Sequence, residues 1–239
     1  PVERMISLMV GRNIDSLFPS RPCAPQMAPL LEVTGLSQPG IIKNLSFSVR
    51  KGEIVGLAGL MGSGRSETAR ILFGLDPHSA GEIRLGGTLV GKGGPERCMD
   101  LGMAFLTEDR RAEGLLMNAP IAENLALPNL IGYAANVAGW IDRTRLLGDS
   151  AEIGRKVQLN TTEISEIPAR NLSGGNQQKV VLGKWLMRKP TLFILDEPTR
   201  GVDVGARHEI YKLINVLVAD GAGVLMISSE TEELMGMCD

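Results

Sequence analysis

A glycine-rich segment, Gly59-Leu-Met-Gly-Ser-Gly-Arg-Ser66, lies between an apolar stretch and a run of helix-forming residues. It matches the phosphate-binding pattern G-x-x-x-x-G-K-[ST] at every position except Arg65, where the pattern has lysine. Glycines let backbone N–H groups turn toward an anion, and the start of the next helix adds partial positive charge. The segment therefore predicts a polyphosphate site in which the Ser66 hydroxyl ligates Mg²⁺. The alternative is a glycine-rich turn without a ligand.

Two carboxylates end a second apolar stretch, Leu192-Phe-Ile-Leu-Asp-Glu197. Acidic residues at the C-terminal end of a buried parallel strand lie where α/β sheets bind ligands. We expect Asp196 to hold Mg²⁺ through water and Glu197 to polarise an attacking water as general base. Such a pair alone is more often a solvated strand end, and the upstream glycine-rich segment is what favours the catalytic interpretation.

A third segment, Leu172-Ser-Gly-Gly-Asn-Gln-Gln-Lys179, places Ser173 and two glycines before a predicted helix. The start of a helix offers N–H groups and a favourable dipole to an anion. The same residues are explained equally well by an ordinary helix N-cap that follows a flexible segment.

The elements around these segments predict a parallel α/β core, because apolar strands alternate with helices. A small antiparallel layer is predicted near the start of the domain, a hairpin at 82–90, and a mostly helical lobe at about 115–170. Four prolines between positions 19 and 29 predict a semi-rigid linker. The predicted strands are 31–33, 45–50, 53–58, 191–195 and 224–227, and the predicted helices are 66–73 and 206–219.

Composition excludes several classes of protein. The chain has 239 residues, with 25 Lys and Arg against 27 Asp and Glu, so it lacks the positive charge of a nucleic-acid platform. Its three cysteines are widely spaced and indicate reduced thiols rather than a disulfide framework. No apolar run approaches the length of a membrane span, and the first residues do not have the pattern of a signal peptide.

Taken in this order, the three segments closely resemble the nucleotide-binding domain of ATP-binding cassette (ABC) transporters, from about residue 31 to the end. Residues 59–66 are similar to the Walker A loop, 172–177 to the signature, 191–197 to Walker B and 199–203 to the D-loop. Further segments, including Thr107-Glu-Asp-Arg-Arg111 and Ile227-Ser-Ser-Glu230, resemble the bacterial importers of ribose, galactose and xylose. The ATPase subunit of that branch carries two fused cassettes, and this chain is similar to the C-terminal one.

The resemblance implies an α/β fold: a P-loop NTPase parallel-sheet core, an antiparallel β layer and a helical subdomain. It divides the chain into an inter-cassette helix end with a proline-rich linker (1–30) and an ABC nucleotide-binding domain (31–239). The helical subdomain occupies about 115–170, and we expect the domain to be truncated at its C-terminus.

The resemblance also assigns ATP and Mg²⁺ as cofactors and names the site residues. The implied metal ligands are Ser66 and Asp196, and the implied catalytic residues are Glu197, Ser229 and Glu108. The implied nucleotide-binding residues are Gly59, Leu60, Met61, Gly62, Ser63, Gly64, Arg65, Ser66, Glu67, Ser173, Gly174, Gly175 and Gln177.

Four departures from the family pattern fall on one nucleotide site. Arg65 replaces lysine, Glu108 replaces the glutamine of the loop that senses Mg²⁺, and Ser229 replaces the switch histidine. An aromatic residue to stack on adenine is not evident at 35–40. We therefore expect this site to bind ATP but hydrolyse it slowly, while Ser173 and its helix complete the site of the partner cassette.

The implied function is an ABC-type ATPase that energises sugar import from the cytoplasmic face of the inner membrane. Its implied partners are the N-terminal cassette of the same subunit, transmembrane permease subunits and, indirectly, a periplasmic sugar-binding protein, with no nucleic acid. Three alternatives stay open: an active homodimeric ATPase that tolerates Arg65 and Ser229, a nucleotide-independent structural cassette, and a soluble ABC protein of translation or DNA repair. The Asn-Gln-Gln after the signature disfavours the last. Arg110 and Arg111 are expected to form a solvated charge pair.

Overall fold

The structure is a computed structural model that describes residues 18–21, 25–60, 62–91, 93–135 and 140–239. Most of the predicted inter-cassette helix end and part of the linker lie outside the described residues, as does Met61 of the glycine-rich loop. Within the described ranges, the strands in chain order are β1 (Pro29–Gln38), β2 (Ile42–Arg50), β3 (Ile54–Leu57), β4 (Ala80–Leu85), β5 (Thr88–Leu89), β6 (Met103–Leu106), β7 (Leu192–Asp196) and β8 (Gly223–Ile227).

Helices connect these strands and cover the sheets. In the same ranges the α-helices are α1 (Arg65–Leu72), α2 (Gly94–Asp100), α3 (Ile121–Ala126), α4 (Arg143–Lys156), α5 (Gly174–Leu186), α6 (Val204–Ala219) and α7 (Thr231–Met237). A π-helix spans Arg110–Gly114, and 3-10 helices span Leu127–Tyr133 and Ala169–Asn171.

The core is a parallel sheet with the order β3-β8-β7-β6. Every residue of β6, β7 and β8 is buried, which explains their continuous apolar sequences. The register pairs Leu106 with Leu195, and Asp196 with Ile227. The carboxyl ends of these strands therefore meet at one edge of the sheet, where the residues that follow them can form a common site.

A second sheet is antiparallel, with the order β2-β1-β4-β5. The predicted hairpin is present as β4 and β5, joined through Gly86 (φ 55°) and Gly87 (φ 78°), a backbone that favours glycine. Glycine is also required at position 81, because a Cβ there would lie 2.5 Å from the Cα of Leu36. The sheet thus forms the predicted antiparallel layer.

The helical lobe is built from α3, the 3-10 helix at Leu127–Tyr133, and α4, all packed against α5. Its two ends are held together by an antiparallel bridge between Pro120 and Pro168. The buried Tyr133 hydroxyl joins the lobe internally through Asp149, at 3.0 Å. These layers confirm the α/β P-loop fold with an antiparallel sheet and helices that the sequence predicts.

Most element ends differ from the sequence predictions by one or two residues, for local reasons, but β1 extends five residues beyond its predicted end and β2 begins three residues before its predicted start. Helix α6 begins at Val204, two residues before the predicted start, because the Asp203 carboxylate caps it by accepting from the Ala206 N–H at 3.0 Å. In the described ranges, no helix has both the length and the apolar character that a membrane span requires.

Candidate functional site

The glycine-rich loop connects β3 to α1 and is open to solvent. Gly59, Leu60, Gly62 and Ser63 are exposed, and Leu60 is 85% exposed. Gly64 has a φ of 85°, and a Cβ at this position would lie 2.9 Å from the carbonyl oxygen of Ile41. Glycine is therefore needed at position 64 for both backbone conformation and space, and the loop leaves room for an anion.

Helix α1 begins directly after Gly64. No side chain of the described residues caps its first turn, so the N–H groups there are not claimed by a cap. Glu67 lies in this turn and is exposed, and Ser66 is half-buried. An uncapped helix start beside an open glycine loop is the arrangement that receives phosphate in P-loop proteins.

Arg65 turns toward the end of β8. Its Nη1 donates to the carbonyl oxygen of Ser228 at 2.6 Å, and its Nη2 lies 3.8 Å from Oε1 of Glu197. The Arg65 and Glu197 side chains are each only 10% exposed. The cation of the loop is therefore already engaged by the protein itself.

Glu197 also receives two hydrogen bonds, both from Ser229. The Ser229 N–H donates to Oε1 at 2.7 Å, and its hydroxyl donates to Oε2 at 3.2 Å. The Glu197 backbone has a φ of 50°, and its N–H donates to the Ile227 carbonyl at 2.9 Å. The two predicted catalytic residues are thus in contact.

Asp196 is 2% exposed, and Ser66 lies close enough to its carboxylate to affect its pKa. Burial raises the pKa of this carboxyl to about 6; the charge of Glu197 adds to the rise, and Ser66 and Arg65 oppose it. In the described part of the chain, no hydrogen-bond partner reaches its Oδ1 atom.

Thr107 supplies a second unpartnered oxygen at the same edge. It directly follows β6, whose Leu106 pairs with Leu195, the residue before Asp196. Its Oγ1 atom is buried, and among the described residues it has no hydrogen-bond partner. Sequence reasoning passed over Thr107, although a hydroxyl directly after an apolar strand was the available signal.

These oxygens fit a magnesium ion that binds together with phosphate. Mg²⁺ prefers oxygen ligands and usually takes one or two from the protein, with the rest from substrate phosphates and water. Ser66 and Asp196 supply a hydroxyl and a carboxylate, and the unpartnered Oδ1 is the kind of atom that a cation satisfies. Within the described residues, no cluster of three or more His, Cys, Asp or Glu side chains could hold a metal by itself.

The signature segment forms a tightly packed helix start. The Ser173 hydroxyl accepts from the Asn176 N–H at 3.4 Å and caps α5. A Cβ on Gly175 would lie 2.4 Å from Cβ of Ala206, and one on Gly174 would lie 3.0 Å from the Gly201 carbonyl oxygen. Both glycines therefore permit close approach to the D-loop and α6, whether or not a nucleotide binds.

Gln177 is 1% exposed and bonded within its own chain. Its amide nitrogen donates to the carbonyls of Leu172 at 3.1 Å and Ala169 at 3.3 Å. These contacts give Gln177 a structural role at the start of α5, and a nucleotide contact from it stays a prediction.

Glu108 and Arg110 both reach the D-loop. Glu108 forms an ion pair with Arg200. The expectation of a solvated pair is wrong for Arg110, whose guanidinium donates to the carbonyls of Arg200 at 2.7 Å and Gly201 at 3.1 Å. Arg111 is exposed, as expected. The predicted site residues thus fall into two contact groups, one around Asp196 and Glu197 and the other around the D-loop.

The fold and this site define a P-loop nucleotide-binding cassette. A solved nucleotide-free ATP-binding cassette from an ABC transporter superposes with a TM-score of 0.73 at 21% identity, covering 89% of this chain and 86% of that one. A solved ATP-binding subunit of an ABC transporter gives a TM-score of 0.68 at 27% identity, covering 88% and 83%. The family model described as "ABC transporter" matches residues 42–200, and the chain belongs to this family.

Named relatives are sugar-import proteins. The chain is 46% identical over 237 residues to "Ribose import ATP-binding protein RbsA 1" of Rubrobacter xylanophilus, which covers 99% of this chain and 47% of the relative. It is 45% identical over 237 residues to a "Putative ribose/galactose/methyl galactoside import ATP-binding protein" of Pseudomonas savastanoi, covering 99% and 44%. The chain thus spans about half the length of the curated relatives it matches.

Proposed function

We propose that this chain binds Mg-ATP in the Gly59–Ser66 loop and acts as a nucleotide-binding domain of a monosaccharide importer. The observation that carries the proposal is the open glycine loop beside the Ser66–Asp196 pair, whose buried Oδ1 atom has no partner among the described residues. The names of the relatives, which concern import of ribose and galactose, support a monosaccharide as the transported substrate.

In this function the backbone N–H groups of the loop and of the first turn of α1 receive the phosphates of ATP. Ser66 and Asp196 would hold the Mg²⁺, which would supply charge neutralisation to the phosphates. Glu197, which follows Asp196 at the strand end, acts as the general base.

This chain's own site hydrolyses ATP slowly. Glu197 already accepts two hydrogen bonds from Ser229 and faces Arg65, so abstracting a proton from water requires these contacts to loosen. A planar guanidinium directed at the Ser228 carbonyl also does not replace the compact ammonium that a P-loop lysine places between phosphates.

A second cassette completes the transport machinery. The relatives are about twice as long as this chain, which leaves room for another domain of the same size. We place this chain as the C-terminal cassette (31–239), preceded by the 1–30 linker. Its Ser173 helix start faces the nucleotide held by the N-terminal cassette, and closure of the pair drives the permease subunits at the cytoplasmic face of the inner membrane.

Calorimetric titration with ATP, with and without Mg²⁺, tests nucleotide binding. We expect wild type to bind Mg-ATP, and Asp196→Asn to lose affinity chiefly when Mg²⁺ is present. Lys212→Ala, an exposed cation on α6, is the matched control that keeps wild-type affinity. Absence of both binding heat and a thermal shift in wild type would support the nucleotide-independent structural cassette instead.

Steady-state phosphate release tests how ATP hydrolysis is divided between this chain's own site and the site of the partner cassette. The chain alone should turn over ATP slowly, and rapid turnover that Glu197→Gln abolishes would contradict the proposal. In the intact tandem subunit with its permease, Ser173→Arg should strongly reduce sugar uptake. Unchanged uptake would exclude a role for Ser173 in the partner site.

A further inference from the structure

Arg110 lies where three functional segments meet. It begins the π-helix Arg110–Gly114, two residues after Glu108. Its Nη1 and Nη2 atoms donate to the consecutive carbonyls of Arg200 and Gly201, and its Nε atom donates to Oε1 of Gln177 at 3.4 Å. One guanidinium therefore joins the segment after Glu108, the D-loop and the first turn of α5.

Two glycines leave space for the Arg110 guanidinium. A Cβ on Gly174 would lie 3.0 Å from Nη2 of Arg110. Gly201, which has a φ of 65°, would bring a Cβ within 3.6 Å of the same atom. Burial lowers the pKa of the Arg110 guanidinium, and the neighbouring Arg111 adds to this effect. The guanidinium is thus partly covered by the elements it joins.

The π-helix that carries Arg110 is itself fixed at both ends. At its start the Asp109 carboxylate accepts from the N–H groups of Arg111 at 2.9 Å and Ala112 at 3.0 Å. At its end the Gly114 carbonyl accepts from the buried Lys184 Nζ at 2.6 Å. Both ends of the short helix that carries Arg110 are therefore held by hydrogen bonds.

The D-loop is held at Arg200 through both the backbone and the side chain of that residue. Arg110 binds the backbone carbonyl of Arg200, while Glu108 pairs with the Arg200 side chain. Backbone and side chain of Arg200 are therefore both tied to the segment 108–110. The Arg200 N–H in turn donates to the backbone carbonyl of Glu197 at 3.1 Å, which connects the D-loop to the residue that carries the carboxylate of the chain's own site.

We propose that Arg110 is a positioning residue that binds the D-loop and the start of α5 into one unit with the segment after Glu108. A displacement of that segment is then passed to Ser173. The inference rests on the proposed function, in which Ser173 completes the nucleotide site of a partner cassette. Arginine is required because its planar fork reaches two consecutive carbonyls and Gln177 together, which the single ammonium of lysine does not.

The test compares Arg110→Ala and Arg110→Lys with Arg111→Ala in the intact subunit assembled with its permease. Arg111 is the adjacent, exposed arginine and serves as the matched control. Three quantities are measured: hydrogen exchange at the Val202 and Gln177 amides without nucleotide, Mg-ATP affinity of this chain's own loop, and steady-state hydrolysis with KM and kcat separated.

We expect Arg110→Ala to speed exchange at both amides and to lower kcat about tenfold or more, as misplacement of a site-building segment does. Affinity at the chain's own loop should stay near wild type, Arg110→Lys should be intermediate, and Arg111→Ala should match wild type. Unchanged exchange at both amides overturns the inference, as does faster exchange with unchanged kcat. If wild type does not hydrolyse ATP, the proposed function fails separately, and the exchange comparison still decides whether Arg110 holds the two segments together.

Discussion

Nη2 of Arg65 lies 3.8 Å from Oε1 of Glu197, so the cation of the glycine-rich loop faces the carboxylate that would activate water. The same guanidinium is held by the Ser228 carbonyl at 2.6 Å, next to the residue that donates twice to Glu197. Two of the sequence departures, Arg65 and Ser229, therefore act on one carboxylate. Their combined effect is to occupy Glu197 before a nucleotide arrives.

Reversing both departures should activate this site. In Arg65→Lys with Ser229→His, Glu197 loses the guanidinium and the serine hydroxyl, and we expect phosphate release to rise about tenfold or more, as part of the roughly 10²–10⁴-fold that a general base supplies. Each single substitution should give less. The same pair in a Glu197→Gln background is the control, and a gain that persists there would show that Glu197 is not the base.

Gly175 should be required for packing. A Cβ at this position meets Cβ of Ala206 at 2.4 Å, so Gly175→Ala should cost about 1–3 kcal/mol by overpacking. Adding Ala206→Gly removes that atom and should recover part of the lost stability, measured by denaturant unfolding. If stability returns while sugar uptake stays low, Gly175 is also needed for approach to nucleotide.

The Thr107 hydroxyl should contribute to Mg-ATP binding and not to the stability of the ligand-free protein. Because its buried Oγ1 has no partner among the described residues, Thr107→Val should be neutral or stabilising by up to about 1 kcal/mol without ligand. The same variant should weaken Mg-ATP binding in calorimetry. A clear loss of stability without ligand would mean that the hydroxyl is already satisfied in the free protein.

Stability should depend on pH through Lys184. Burial lowers the pKa of this lysine from 10.5 to about 8, so as pH rises through about 8 the folded protein loses a proton that the unfolded chain keeps. Stability therefore increases with pH in this window, by about 1 kcal/mol between about pH 7 and pH 9. Denaturant unfolding of wild type and Lys184→Met should diverge by this amount, while Lys212→Met, on the exposed face of α6, should follow wild type. Parallel curves for Lys184→Met and wild type would refute the assignment.

The sequence was sufficient for the layers of the fold because each layer has a local signal. Of the parallel strands, β3, β7 and β8 are predicted from their apolar runs and β6 (Met103–Leu106) is not, while the hairpin has Gly86-Gly87 at its turn. Element ends were less predictable, since a cap such as Asp203 fixes the first helical residue by a single hydrogen bond.

The contacts of the site were only partly predictable. Spacing brought Ser66, Asp196 and Glu197 together, because each lies at a strand end or loop that the parallel sheet aligns. It gave no indication that Arg110 reaches Arg200, which is 90 residues away along the chain. Such long-range pairs depend on how α5 and the D-loop pack, which local periodicity does not encode.

Glu197 holds its backbone at a φ of 50°, a conformation in which side chains with a Cβ are disfavoured by about 1 kcal/mol or more. Glycine or asparagine would fit the same backbone with less strain. Directed evolution that selects this protein for heat resistance alone is therefore expected to drift toward those residues at position 197. The most thermally robust descendants would then be the ones least able to split ATP.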